Sequence, residues 1–225
     1  MEDYVSLKPD RLVKIPDNSN LYVFSFTELV TVSYQAIMRF KKFSNKNKDI
    51  IGVWGDGNLG YITSLILKVL FPDSKVFVFG VHDEKLEMFS FVDETYKINE
   101  VPKGIVVNHA FEAVGGLGSQ DAIEQIIDII KPEGTISILG VSEGSIQINT
   151  RKILEKGLVM FGTNRSGRND FLGTINLFNT YPKVLEYLEN IIGEIIEINN
   201  LEDINMAFDK DFNSSFGKTI LIWNK

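Results

Sequence analysis

The chain has 225 residues, enough to bury a substantial core as one large domain or as one domain with part of a second. Its 23 basic and 30 acidic residues leave a net charge of -7 with no basic stripe, which argues against nucleic acid or an anionic membrane as a partner. There is no cysteine, so disulfides and thiolate metal ligands are excluded within the chain, and no apolar run approaches the roughly 20 residues that span a bilayer.

Met1-Glu2-Asp3-Tyr4 lacks the charged and apolar regions of a signal peptide, and a cytoplasmic location is expected. Tyr4-Val5-Ser6-Leu7 and Leu12-Val13-Lys14-Ile15 read as short extended edge pieces separated by Lys8-Pro9-Asp10. Over 25–40, Leu29, Val32, Ala36 and Phe40 recur at spacings of three and four, the pattern of an amphipathic helix. Ser25 or Thr27 is its expected cap, and Glu28 lies in its first turn.

Apolar strand segments then alternate with helical ones. Ile50 to Trp54, Lys75 to Phe79, Tyr96 to Ile98, Gly104 to Phe111, Thr135 to Gly140 and Leu158 to Gly162 read as six strands. Helices are expected after Asn58, over 83–91, over 119–130 and over 149–155, with Lys131-Pro132-Glu133-Gly134 as a turn. Such alternation predicts an α/β fold with a doubly wound parallel sheet and right-handed crossovers. Helices over 169–179, 182–191 and 201–208, with strands at Ile195 to Ile198 and Lys218 to Trp223, finish the chain and are expected to complete the sheet. The organisation anticipated is an edge remnant over 1–24, a nucleotide-binding domain over 25–165 and a C-terminal portion over 166–225.

Between the first strand and its helix, Gly55-Asp56-Gly57-Asn58-Leu59-Gly60 fits G-x-G-x-x-G. In that pattern the first glycine permits the tight turn, the second lets a pyrophosphate approach the backbone, and the third lets the helix pack on the sheet. The phosphates face the free N–H groups at the helix start, where the helix dipole favours anions. Gly55, Gly57, Asn58, Leu59 and Gly60 are therefore the first candidates for dinucleotide binding.

In NAD sites an acidic residue about 20 positions beyond the turn holds the ribose hydroxyls; NADP sites offer a cation instead. The second strand ends Phe79-Gly80-Val81-His82 with no carboxylate at Gly80, and Lys85 follows. NADP(H) is the coenzyme this favours, with His82 or Lys85 near the 2′-phosphate. A carboxylate introduced at Gly80 is expected to weaken NADPH more than NADH. Ala113, Val114, Gly140 and Val141, at two further strand ends, combine small residues and free backbone groups suited to a flat nicotinamide ring. Arg165 and Arg168 stand in one turn after the sixth strand and are candidates for gripping a substrate phosphate.

Leu12-Val13-Lys14-Ile15-Pro16, Thr27-Glu28-Leu29, the glycine turn, Glu112-Ala113-Val114-Gly115-Gly116 and Lys131-Pro132-Glu133-Gly134-Thr135 follow one another as in a known family. The chain resembles the medium-chain dehydrogenase/reductase superfamily. Through Phe89-Ser90-Phe91-Val92-Asp93, Asn149-Thr150-Arg151 and 164–171 it is most similar to ribitol-5-phosphate dehydrogenases, the ribulose-5-phosphate reductases. The resemblance implies a Rossmann domain with a GroES-like catalytic domain and a homodimer. It also implies reduction of D-ribulose 5-phosphate to D-ribitol 5-phosphate by NADPH, supplying CDP-ribitol for teichoic acid or capsule, with a cytidylyltransferase of that pathway as a possible partner. The family's catalytic zinc is held by a cysteine, a histidine and glutamates, of which only Glu28 is carried over here, as the one catalytic and metal-site candidate.

The segment corresponding to the GroES-like domain is almost entirely absent from the sequence, and one carboxylate is not a zinc site. A remnant of that domain with a complete Rossmann portion is expected to bind NADP(H) without turnover. A catalytically silent nucleotide-sensing or partner-binding module of reductase descent is the competing expectation.

Overall fold

In the computed structural model, residues 5–17, 19–214 and 216–224 are described. Six parallel strands form the main sheet: β1 (Ile50–Trp54), β2 (Lys75–Gly80), β3 (Glu94–Lys97), β4 (Val107–Glu112), β5 (Ile130–Ile138) and β6 (Val159–Gly162). Their order is β3-β2-β1-β4-β5-β6. The winding reverses between β1 and β4, and at such a reversal the connections leave in opposite directions and open a crevice at the strand C-terminal ends. The doubly wound α/β fold expected from the sequence is borne out.

Side-chain alternation along the strands builds two cores. Ile51 and Val53 of β1 and Val76 and Val78 of β2 face one side. There they meet α2 (Thr27–Phe43), α3 (Asn58–Leu70), α7 (Arg168–Thr180) and α8 (Lys183–Glu189). Trp54, Phe77 and Phe79 face the other side, under α5 (Gly118–Ile129). Strands buried on both faces explain the unbroken apolar runs in the sequence. α2 is fastened between its neighbours by two buried hydroxyl pairs, Ser33 with Thr63 of α3 at 2.9 Å and Thr31 with Thr174 of α7 at 3.0 Å.

The structure departs from the sequence expectations at several points, one being that the helix expected over 83–91 is only Asp83–Leu86. Tyr4 lies outside the described residues; the rest of the first edge piece and Leu12–Ile15 pair with no strand among them, and Pro9–Arg11 is a 3-10 turn. With no partner strand in reach, Val13 and Ile15 pack against the first core instead. Leu21–Phe24 is not extended but a short helix, α1, capped by the Asn20 side chain. It runs straight into α2, whose N-cap position is Phe26, so neither Ser25 nor Thr27 caps α2; Ser25 instead closes α1, and the two hydroxyls donate to the carbonyls of Tyr22 and Phe24.

The expected turn at 131–134 is absorbed into β5 as an irregularity, with Glu133 at φ 62° and the register shifting between Val107 and His109. Finally, β7 (Ile192–Ile198) and β8 (Lys218–Trp223) do not complete the sheet. They form a separate two-stranded parallel sheet whose Ile196 and Ile198 bury against Ala207 of α9 (Leu201–Asn213), an apolar partner adjacent in the chain. Among the described residues no helix is long and apolar enough to cross a membrane.

Candidate functional site

The glycine turn lies at the crevice, and its three glycines do different work. Gly55 has φ +124°, a backbone few L side chains adopt, and a Cβ there would stand 2.7 Å from the Ala113 carbonyl oxygen. Gly60 is pressed into the turn, where a Cβ would fall 1.9 Å from the Gly55 carbonyl oxygen. A Cβ on Gly57 would meet nothing within 4 Å. That corner is open space, and it lies over the start of α3, where the N–H groups of Asn58, Leu59 and Gly60 donate to no acceptor among the described residues. Three unpaired donors at the positive end of a 13-residue helix make an arrangement that favours an anion.

The Asn58 side chain is used otherwise. Its Nδ2 donates to the Gly217 carbonyl at 2.9 Å and its Oδ1 accepts from the Gly217 N–H at 3.2 Å, so it ties the turn to the segment before β8. Only its backbone remains for a ligand.

A cavity of about 530 Å³ opens beside the turn, reaching from Gly57 past Val81 and Ala113 to Asp121 and Gln125. Its floor is aromatic: Trp54 and Phe79 stack at 4.0 Å and 11°. The indole Nε1 donates to Gln125 Oε1 at 2.7 Å, and Gln125 Nε2 donates in turn to the Ile98 carbonyl at 2.9 Å. A flat, mostly apolar slot with a few fixed polar groups suits a planar base.

Two carboxylates that sequence reasoning did not assign to the site shape it. Asp56 Oδ2 accepts from the Val81 N–H at 2.7 Å, the His82 N–H at 2.8 Å and His82 Nδ1 at 3.0 Å. Burial pushes the Asp56 carboxyl up, but the bonds from the His82 and Val81 backbones and from the imidazole outweigh it and hold the group below its ordinary value. Glu112, fully buried at the end of β4, accepts from the N–H groups of Val114 and Gly115 at 2.9 and 3.1 Å through Oε1 and of Gly140 at 3.2 Å through Oε2. It thereby fixes the two loops carrying Ala113, Val114, Gly140 and Val141, with the Val114 and Val141 side chains left exposed. The available signal was a lone acid closing an apolar strand. Replacing Glu112 by glutamine sets an NH2 group against at least one of these N–H donors, and a loss of about 1–3 kcal/mol in urea denaturation is expected.

The other candidates are scattered. His82 lies half exposed at the end of β2, and Lys85, in α4 (Asp83–Leu86), has no ion pair among the described residues. Gly80 is closed to a side chain, because a Cβ would stand 2.6 Å from Asp56 Cβ. An aspartate there is thus a steric and electrostatic insult to Asp56 rather than a clean probe of coenzyme choice. Arg165 and Arg168 are exposed and do not line the cavity; Arg165 takes φ 58°, and Arg168 Nε donates to the Leu12 carbonyl at 3.3 Å. Glu28 is exposed, and among the described residues no group of three His, Cys, Asp or Glu is placed to hold a metal. The described residues therefore do not fit a zinc centre.

Residues 75–180 match the model of the zinc-binding dehydrogenase family. The chain is 50% identical to Staphylococcus aureus TarJ, whose crystal structure in complex with NADPH superposes with a TM-score of 0.96 over 99% of this chain and 70% of that one. The chain belongs to the ribulose-5-phosphate reductases of the medium-chain dehydrogenase/reductase superfamily. Ribulose-5-phosphate reductases of Bacillus spizizenii and S. aureus are 49% and 51% identical over 223 residues. These matches cover 99% of this chain, which spans 65% of the length of these curated relatives. More distant members share the fold alone, as does Escherichia coli galactitol-1-phosphate dehydrogenase at 18% identity and a TM-score of 0.77. The family resemblance read from the sequence is borne out.

Proposed function

We propose that this chain is the coenzyme-binding portion of an NADPH-dependent oxidoreductase that reduces D-ribulose 5-phosphate to D-ribitol 5-phosphate. The observation that carries it is the open corner at Gly57 above three unpaired N–H groups, beside a slot large enough for a nucleotide base. Bound NADPH supplies the hydride that the carbonyl carbon accepts. The α3 amides hold the diphosphate, the Trp54 side of the slot takes the adenine, and the loops pinned by Glu112 present the nicotinamide. His82 and Lys85 face the 2′-phosphate. The identity to a relative solved with NADPH supports this reading. Residues 25–165 form the coenzyme unit in this scheme, with 166–225 packed beside it. Assembly as a homodimer, a role in CDP-ribitol supply beside a cytidylyltransferase, and a phosphate-gripping role for Arg165 and Arg168 belong to the same proposal.

No step is assigned to zinc or to Glu28, which stands alone. That isolation favours a second reading, in which the chain binds coenzyme as a sensing or partner-binding module without turnover. Calorimetric titration of the folded chain tests the shared premise: saturable 1:1 binding of NADPH, tighter than NADH, is expected. Folded protein that takes up neither coenzyme would sink both readings. Reduction of ribulose 5-phosphate after a family catalytic domain is supplied in trans separates them in favour of the first.

A further inference from the structure

We propose that Asn99 and Asp121 read the six-membered edge of the coenzyme's purine, and that Asp121 makes the site select a 6-amino purine, adenine, over a 6-oxo one. The inference rests on the coenzyme reading above and adds to it the two residues that choose the base.

The bond from Gln125 Nε2 to the Ile98 carbonyl at 2.9 Å ties the end of β3 to α5. Asn99 follows Ile98, and Asp121 lies one helical turn before Gln125 on the same face, so that bond brings the two together at the slot. Ile98, Asn99, Asp121 and Gln125 also line a second cavity of about 590 Å³, which runs on past residues 101–105 and touches no residue of the glycine turn. They therefore mark the end of the slot away from Gly57. A purine whose ribose and diphosphate lead to the α3 amides enters with its glycosidic nitrogen toward Gly57. Its six-membered ring then points at Asn99 and Asp121.

The other polar side chains of the slot are already engaged. Asp56 Oδ2 is taken by Val81 and His82, and Gln125 by Trp54 and Ile98. Neither the Asn99 nor the Asp121 side chain has a hydrogen-bond or ion-pair partner among the described residues. Their chemistries differ. The Asn99 carboxamide carries a donor and an acceptor, so it pairs with adenine by donating to N1 and accepting from the 6-amino group. Turned over, it pairs equally well with hypoxanthine, accepting from N1–H and donating to O6. Asn99 alone therefore holds a purine without choosing it. The Asp121 carboxylate only accepts. It takes the second hydrogen of a 6-amino group, whereas an O6 would meet it lone pair to lone pair.

The test is equilibrium titration of the full chain with NADPH and with its deamino analogue, in which hypoxanthine replaces adenine, for the wild type, Asp121→Asn and Asn99→Ala. The two ligands carry the same phosphates and the same nicotinamide, so the ratio of their affinities reports the base alone. The wild type is expected to prefer NADPH by about tenfold. Asp121→Asn, which offers O6 an NH2 donor, should cut that preference to about twofold. Any general gain from removing a negative charge near the phosphates falls on both ligands and cancels in the ratio. Asn99→Ala should weaken both ligands about fivefold and leave the ratio at its wild-type value. Equal affinity of the wild type for the two ligands would overturn the inference. So would an Asp121→Asn ratio as large as the wild type's, the mark of a carboxylate that serves only the first turn of α5, or an Asn99→Ala protein that binds both ligands as the wild type does. Folded wild type that binds neither ligand would overturn the coenzyme reading, and this inference with it.

Discussion

Replacing Gly57 with alanine is expected to leave the fold intact and to weaken NADPH binding at least tenfold, about 1.4 kcal/mol. Gly57 sits at φ -88° and ψ -176°, extended backbone that any L residue adopts, and the added methyl meets no protein atom within 4 Å. Restricting the unfolded chain even favours the alanine by about 0.4–1 kcal/mol at such a site. The methyl instead occupies the space the diphosphate needs to reach the α3 amides. Gly60→Ala is the opposite case: its Cβ would fall 1.9 Å from the Gly55 carbonyl oxygen, and moving backbone to relieve that costs about 3 kcal/mol. Thermal melts with coenzyme titrations should therefore separate the two, one variant stable and poor at binding, the other destabilised. A Gly57→Ala protein that binds NADPH like the wild type would mean that the phosphates lie elsewhere.

That contrast also measures what the sequence alone conveys. The spacing of Gly55, Gly57 and Gly60 between an apolar run and a helical one is a local signal, and it fixes strand, turn and helix because each neighbour in space is also a neighbour in the chain. The six-stranded order follows from the same alternation with right-handed crossovers. Asp56 is different. Its partners are 25 and 26 residues away, so only the pairing of β1 with β2 reveals that a turn residue stands at the strand end. Glu112 likewise reads as the last residue of a strand until the Val114, Gly115 and Gly140 amides close on it. The separate pairing of β7 with β8 was illegible for a related reason. Its strands carry the same apolar character as those of the main sheet, and the choice is made by the α9 face they cover.

Acidification from pH 7 to about pH 5 is expected to cost the protein about 2 kcal/mol of stability through one residue, His109. Its side chain is fully buried in β4, edge-on to Phe40 at 5.0 Å, with Nδ1 accepting from the Thr135 N–H at 3.1 Å. Burial first, and the nearby Lys48 ammonium second, lower its pKa from 6.5 to about 4, offset only in part by the Asn47 backbone. The unfolded chain therefore takes up a proton near pH 6.5 that the folded chain refuses until about pH 4. Between those values the unfolded state binds more protons, so stability falls as pH falls and is fully present only above the upper one. Asp56 and Asp93, whose carboxyls are held below their ordinary values, lose their contribution only at more acidic pH. His109→Asn keeps an acceptor for the Thr135 amide while removing the titration. Urea midpoints at the two pH values should then differ less in the variant than in the wild type by that same amount. An undiminished pH slope in His109→Asn would show that the proton is taken up elsewhere.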